Sequence, residues 1–298
     1  MKINDEKSFP HADRESFILR AQHNELTEYR VYTLLAGLVR DSRNREVLQR
    51  IAADELRHAR FWEALSGRET AVSRRRVVWY RAMAWIFGIT FAVKLMERGE
   101  DRAQLDYASM RDRIEGIDAL IRDEEEHEQA LLNILDEERV RYTGSIVLGL
   151  NDALVELTGA LAGFTFAFQN TRLIAVTALI TGISASFSMS ASEYLSTRQE
   201  SGQTQKALKA AFYTGIAYIF TVIALVLPYL LIGNPFVSLA VCLTVAVLII
   251  YLFNYYMSVV HETPFRKRFL EMAAISLGVS ALSFLIGILV KNVFGLEV

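Results

Sequence analysis

A single cysteine, Cys242, stands in a chain of 298 residues. That excludes an intrachain disulfide framework, CxxC metal knuckles and a rubredoxin-type iron centre. Charge of one sign is also missing: lysine plus arginine number 32 against 34 acids, a formal net charge of -2. The near balance gives no electrostatic case for a nucleic-acid partner. The first residues, MKINDEKSFPHADRES, contain no apolar h-region, so no signal peptide is expected. The first 140 residues are expected to stay in the compartment where they are made.

What is present is apolar. The chain is 52% hydrophobic with a mean hydropathy of +0.23, too apolar for an ordinary soluble protein of this length. Charges concentrate before residue 142 and long apolar runs follow, so the sequence reads as a composite. The expected boundary lies near Arg141 to Ser145, giving domains 1–141 and 142–298.

In the first domain the apolar periodicity is helical. Helix A, residues 12–40, places Ile18, Ala21, Glu25, Glu28, Tyr32, Leu35 and Val39 on one stripe. Asp41, Ser42 and Asn44 supply turn and cap chemistry, and a second helix runs to Ser66 with Ile51, Glu55, His58, Trp62 and Leu65 inward. After Arg74 to Arg76 comes VVWYRAMAWIFGITFAVKLMERGED. Arg81 and Lys94 bracket only about a dozen uncharged residues, where a span needs about 20. It is therefore expected as a buried or membrane-apposed third helix, with Ile86, Thr90, Val93, Glu97, Glu100 and Gln104 inward. The fourth, from Tyr107 to Arg139, turns Ile117, Leu120, Glu124, His127, Leu131 and Ile134 inward.

Each stripe thus carries acids or imidazoles where a bundle would carry leucine. Glu25 or Glu28, Glu55 with His58, Glu97 with Glu100, and Glu124 with His127 supply one Glu-rich helix twice and Glu-x-x-His twice. That is the di-iron carboxylate arrangement of a ferritin-like four-helix bundle. Iron, manganese and zinc accept carboxylate oxygen and imidazole, and bridging carboxylates hold two such ions close together. A lone Glu-x-x-His is ordinarily a solvated face. Two in phase with the apolar stripe and joined by acids on two further helices are not, because buried charges without a metal are costly. Glu28 reads equally as ligand, support or partner of Arg30, and Glu125, Glu126 and Glu128 read as a solvated face.

NELTEYRVY, DELRHARFW, MERGED and DEEEHE resemble the four helices of the erythrin subgroup of the ferritin-like superfamily. The resemblance implies Glu25, Glu55, His58, Glu97, Glu100, Glu124 and His127 as metal ligands, with Tyr32 near the site. Rubrerythrins proper also carry a cysteine-rich electron-donor domain, and this chain departs from them there.

Beyond Tyr142 five stretches, 145–168, 172–195, 208–231, 236–258 and 269–290, are each long enough to cross a hydrocarbon core. Arg139 and Arg141, then Arg198, Lys206 and Lys209, then Arg266, Lys267 and Arg268 fall on alternate connections. The opposite connections hold only Arg172, the uncharged IGNP and Lys291. The positive-inside rule then puts the N-terminal domain in the cytoplasm and the C-terminus outside. The expected fold class is all-α, a four-helix bundle followed by a five-helix transmembrane domain.

Acids inside a span are costly and imply function. Asp152 and Glu156, one turn apart beside Asn151, meet Met189 and Glu193 of the returning second span at similar depth. Protons and a divalent cation would compete for such carboxylates, which is the physical basis of exchange. Gly159, Ala160, Ala162 and Gly163, with Ala185, Ser188 and Ser192, allow close helix packing or a dimer seam, and packing is the plainer reading.

LGLNDALVELTGALAG and SFSMSASEYLSTRQ are similar to the first- and second-span motifs of the vacuolar iron transporter family. The similarity implies a homodimer exchanging Fe2+ or Mn2+ for H+ through Asp152, Glu156, Met189 and Glu193. Asp152-Ala153 replaces the family's Asp-Gly, and its glutamate-rich insert shrinks to TRQESGQTQKALK. The two halves together resemble the membrane-bound ferritins of bacteria, which implies iron export. The expectation is a proton-coupled Fe2+ exporter of the cytoplasmic membrane, with lipid as its surroundings. Its cytoplasmic di-iron domain collects, oxidises or senses the metal. A membrane-anchored ferroxidase or peroxide scavenger is the rival from another class, and a bundle acting as sensor or dimerisation gate is the third reading.

Overall fold

A computed structural model describes residues 11–109, 114–134 and 138–294, and every regular element among them is a helix. The chain divides into two compact units, Met1–Glu137 and Glu138–Val298.

In the first unit α1 (His11–Leu38) lies along α2 (Ser42–Ser66). Between them the Asp41 carboxylate accepts from Asn44 N at 2.9 Å, an N-cap of the kind that contributes about 1 kcal/mol. Gly67 ends α2 in the left-handed region at φ 65°, and Ser73 caps α3 (Arg74–Phe87). The expected third helix is broken. At Gly88 the backbone takes φ 97°, ψ 164°, which a side chain would resist, and the chain resumes as α4 (Ile89–Ser109). The break resets the phase, so Ile86, expected inward, is 50% exposed while Thr90 and Val93 are buried. Leu65, in the last turn before Gly67, is likewise exposed.

The fourth helix also begins later than expected. Tyr107 belongs to α4, and α5 (Ile117–Ile134) starts after Gly116 at φ 90°. Side chains of Glu100, Gln104, Glu128 and Ile134 lie outside those described, as do residues 135–137. Glu125 and Glu126 are exposed, as expected of a solvated face.

The unit's interior is layered along the helices. Phe17, Ile18, Ala21, Trp62, Tyr107, Ile117, Leu120 and Ile121 form one apolar cluster. Tyr32, Leu35, Leu48, Ile51, Val93, Met96 and Leu131 belong to another. On α1, α2 and α5 the buried Glu25, Glu28, Glu55, His58, Glu124 and His127 fall between these two stretches in sequence. Each fully buried Leu or Phe stabilises by about 1.5–3 kcal/mol, and the two apolar layers offset a charged one.

The second unit begins with the short α6 (Glu138–Arg141), followed by α7 (Thr143–Phe168), α8 (Thr171–Ser201), α9 (Thr204–Leu231), α10 (Pro235–Val260) and α11 (Phe265–Phe294). All five long helices are long and apolar enough to cross a membrane, matching the five expected stretches. Between apolar helices in lipid, burial from water offers little drive, and close approach through small residues takes its place. Gly149 of α7 leaves no room for a Cβ against the Thr214 backbone of α9. Gly159 and Gly163 seat Ser283 of α11, whose Gly287 would put a Cβ 2.7 Å from Gly163 O, and a Cβ on Gly182 would meet Val222 at 2.8 Å. The glycines expected to permit packing therefore close seams within one chain. Beside α7, α10 and α11 lies an open cavity of about 450 Å³, lined among others by Asn151, Asn254, Met257 and Met272.

Candidate metal centre and membrane acids

Glu25 of α1, Glu55 and His58 of α2 and Glu124 of α5 bring one ligand atom each within 4.8 Å of one another, all buried. His58 Nδ1 lies 3.3 Å from Glu124 Oε1, 3.5 Å from Glu25 Oε2 and 3.7 Å from Glu55 Oε2. His127 joins from α5, its Nδ1 3.3 Å from Glu55 Oε1 and 3.7 Å from Glu124 Oε2. Both imidazoles therefore turn the same nitrogen inward, with ring centroids 5.9 Å apart.

Their outward nitrogens are held crosswise. His58 Nε2 of α2 lies 3.1 Å from Asp123 Oδ2 of α5, and His127 Nε2 of α5 lies 3.2 Å from Asp54 Oδ2 of α2. Each helix thus orients the other's histidine through the aspartate preceding its own glutamate. Arg57 ties the two aspartates together, donating to Asp54 Oδ1 at 2.6 Å and to Asp123 Oδ2 at 2.7 Å. A carboxylate on the outer nitrogen fixes the tautomer and leaves the inner nitrogen free to ligate.

The electrostatics follow. Burial opposes charge on His127, but the carboxylates of Glu124 and Glu55 outweigh it and push its pKa up to about 10. His58 is likewise raised, against burial, by Glu124, Glu25 and Glu55. Burial alone would raise Glu124, yet His127 and His58 hold it at about 2. Glu55 moves well up because it is buried beside Glu124. Without a metal, the surrounding carboxylates push both imidazoles toward the protonated form.

The donor set fits a metal. Glu25 Oε2, both Glu55 oxygens, His58 Nδ1 and His127 Nδ1 are buried atoms without a hydrogen-bond partner. Buried polar groups are ordinarily satisfied. These five atoms belong to the side chains that converge, and they are the oxygen and nitrogen donors that iron, manganese or zinc accept.

Glu28 pairs with Arg76 at 3.2 Å rather than with Arg30, while burial and the neighbouring Glu25 push its pKa up to about 8. Glu97 lies 3.1 Å from Lys94 and outside the converging group. Glu100 stands on α4, its side chain outside those described. Tyr32 is fully buried, and Tyr107 also reaches the acids, its hydroxyl donating to Glu25 Oε1 at 2.5 Å. Asp54, Asp123, Arg57 and Tyr107 were not singled out from sequence. The pentad Asp-Glu-x-x-His, present at 54–58 and again at 123–127, is the signal that points to the aspartates.

In the second unit the acids are spread along α7 and α8. Glu156 is exposed on α7 and accepts from Tyr218 Oη of α9 at 2.7 Å. Asp152, one turn earlier, is half-buried. Glu193 of α8 accepts from Ser145 Oγ at 2.6 Å, and Met189 packs against the core that includes Ala153, Leu157 and Tyr218. Among the described residues here, no three acids or histidines converge as they do in the first unit. Asn151 lines the cavity, its Oδ1 buried without a hydrogen-bond partner.

Residues 143–208, which span α7, α8 and the start of α9, match the sequence profile of the VIT family. No curated protein and no solved structure matches the chain. The family match and the five apolar helices support a multi-pass membrane protein with a VIT-like domain, and with it metal-ion transport.

Proposed function

We propose that the chain exports Fe2+, with Mn2+ as second substrate, from the cytoplasm in exchange for protons. Its first unit is a cytoplasmic ferritin-like di-iron domain of the erythrin kind, which collects, oxidises or senses the metal it passes on. The observation that carries the transport reading is the family match, because residues 143–208 contain Asp152, Glu156, Met189 and Glu193 together. These side chains are proposed as the transport residues, with protons competing for the same carboxylates. Exposure of Glu156 about 20 Å along α7 from Thr143 supports a homodimer, since a second copy would cover an acid that lipid would not tolerate.

Glu25, Glu55, His58, Glu124 and His127 would hold the resident metal, with Glu97, Glu100 and Glu28 as further candidates. Iron bound there supplies one-electron redox chemistry. The chain's own part is to bury the carboxylates, orient both imidazoles through Asp54 and Asp123, and hold the Tyr107 proton on Glu25. Arginines and lysines on alternate connections support a cytoplasmic first unit and an outside C-terminus. A metal-holding unit on that side is on the donor side for efflux.

The test is Fe2+ flux in proteoliposomes carrying an internal pH dye. Wild type should move metal with opposing protons and Asp152→Asn should not. Glu55→Ala combined with Glu124→Ala then tells whether the first unit feeds or gates the path. Oxygen or peroxide consumption with Fe2+ but no flux in any of these proteins would overturn the transport reading.

A further inference from the structure

Helix α3 presents to solvent a face that a soluble protein would bury. Trp85 is 83% exposed, Val78 66%, Trp79 55% and Ile86 50%. At 100° per residue these four and Ala82 share one arc, and the exposed Arg74, Arg75 and Arg81 stand along its edge and at its N-terminal end. The opposite arc, with Val77, Tyr80, Met83 and Ala84, packs into the unit's core. We propose that this face of α3 lies in the headgroup region of an anionic bilayer, its indoles at the acyl boundary and its arginines on lipid phosphates.

Tryptophan flanked by arginine is the composition that helices lying in the membrane interface use. The chain itself brings the bilayer within reach. Ile134 and Thr143, where the first candidate span starts, are nine residues apart (143 − 134 = 9), at most ~30 Å of extended chain. A second copy fits the same face poorly. Docked by the same patch, it would desolvate Arg74, Arg75 and Arg81 of both copies, and no acidic residue stands between Arg74 and Phe87 to pair with them.

All three tryptophans, Trp62, Trp79 and Trp85, belong to the first unit, so the full-length protein reports this contact directly. Its fluorescence is compared in nanodiscs of phosphatidylcholine and phosphatidylglycerol, with and without bromine on the acyl chains. Brominated lipid should remove most of the emission of Trp79 and Trp85, two of the three fluorophores. The Trp79→Phe/Trp85→Phe protein should keep unquenched emission from the buried Trp62, with its metal content intact. In brominated phosphatidylcholine alone the quenching should weaken, because the arginines lose their partner. Equal wild-type emission in brominated and plain anionic lipid overturns the proposal. A blue emission maximum would then assign the face to a second copy, and a red one to water.

Discussion

The two units treat acids in opposite ways. In the first, Glu25, Glu55 and Glu124 are buried around two histidines whose outer nitrogens are already committed. In the second, Glu156 and Glu193 each meet one hydroxyl from a neighbouring helix, and Glu156 stays exposed. The difference teaches what each geometry is good for. A converged, desolvated donor set with fixed rotamers holds an ion tightly, because its ordering cost is met at folding. Acids that do not converge hold an ion less tightly, and passage of an ion requires binding weak enough to let it leave.

The largest break in that comparison is Glu55→Ala. It removes both oxygens that face His58 and His127, so metal in the purified protein, measured by plasma mass spectrometry, should fall by more than the ~10–100-fold that loss of a supporting residue costs. Unchanged metal content would sink the site. Asp123→Asn takes away the charge orienting His58 together with one partner of Arg57, and metal affinity should drop about 10–100-fold. The same substitution at Asp54 should do likewise through His127. An effect at one aspartate alone would contradict the crossed arrangement.

Gly149→Ala acts in the other unit. A methyl group there meets the Thr214 carbonyl, and overpacking should cost about 1–3 kcal/mol and lower flux, with metal content of the first unit unchanged. Loss of that metal would show that the seam matters to both units.

The pH response separates the units next. His127 carries a folded pKa of about 10 and Glu28 one of about 8, both above their ordinary values of 6.5 and 4.5. The folded, metal-free unit therefore binds protons that the unfolded chain releases between pH 4.5 and 10, and its stability falls as pH rises through that window. Glu124, held at about 2, adds stability above pH 4.5 that is lost below it. Tryptophan emission, confined to the first unit, should show the melting midpoint of metal-free protein dropping from pH 5 to 9. A rising midpoint refutes the charge assignment. Bound metal should flatten the slope by displacing those protons. The smallest effect is expected from Tyr218→Phe. Glu156 loses a hydrogen bond of about 1 kcal/mol, and the pH midpoint of flux should shift while maximal flux holds. Abolished flux would mean that Tyr218 does more than support Glu156.

Periodicity made much of this readable. All seven residues of the first stripe, Ile18 through Val39, are buried, because unbroken α1 keeps its phase over its length and Val39 follows directly on its end. The third helix was harder. Gly88 gives no sign in composition that it will leave helical geometry, and past it Ile86 and Glu97 no longer share a stripe. Tyr107 was missed for the same reason, since it ends α4 and folds back over Glu25. Arg76 reaches Glu28 from 48 residues away, a pairing that spacing cannot reveal. In the second unit, length and hydropathy located every span, but which hydroxyl faces which acid depends on helix rotation, and apolar faces of lipid-exposed helices leave that undetermined.

Glycine contacts close the seams α7–α9 and α7–α11 at backbone distance and α8–α9 against the side chains of Val222 and Ser190, and no glycine contact among the described residues involves α10. α10 is instead fastened at its start by Ser238 to the carbonyls of Pro228 and Ile232, and near its end by Asn254 to Met272, with the cavity alongside. Interlocked backbones move as one body, so the cheapest displacement in this unit is a shear of α10 against the other four helices. Paired spin labels should show a broader distance distribution between α10 and α7 than between α11 and α7.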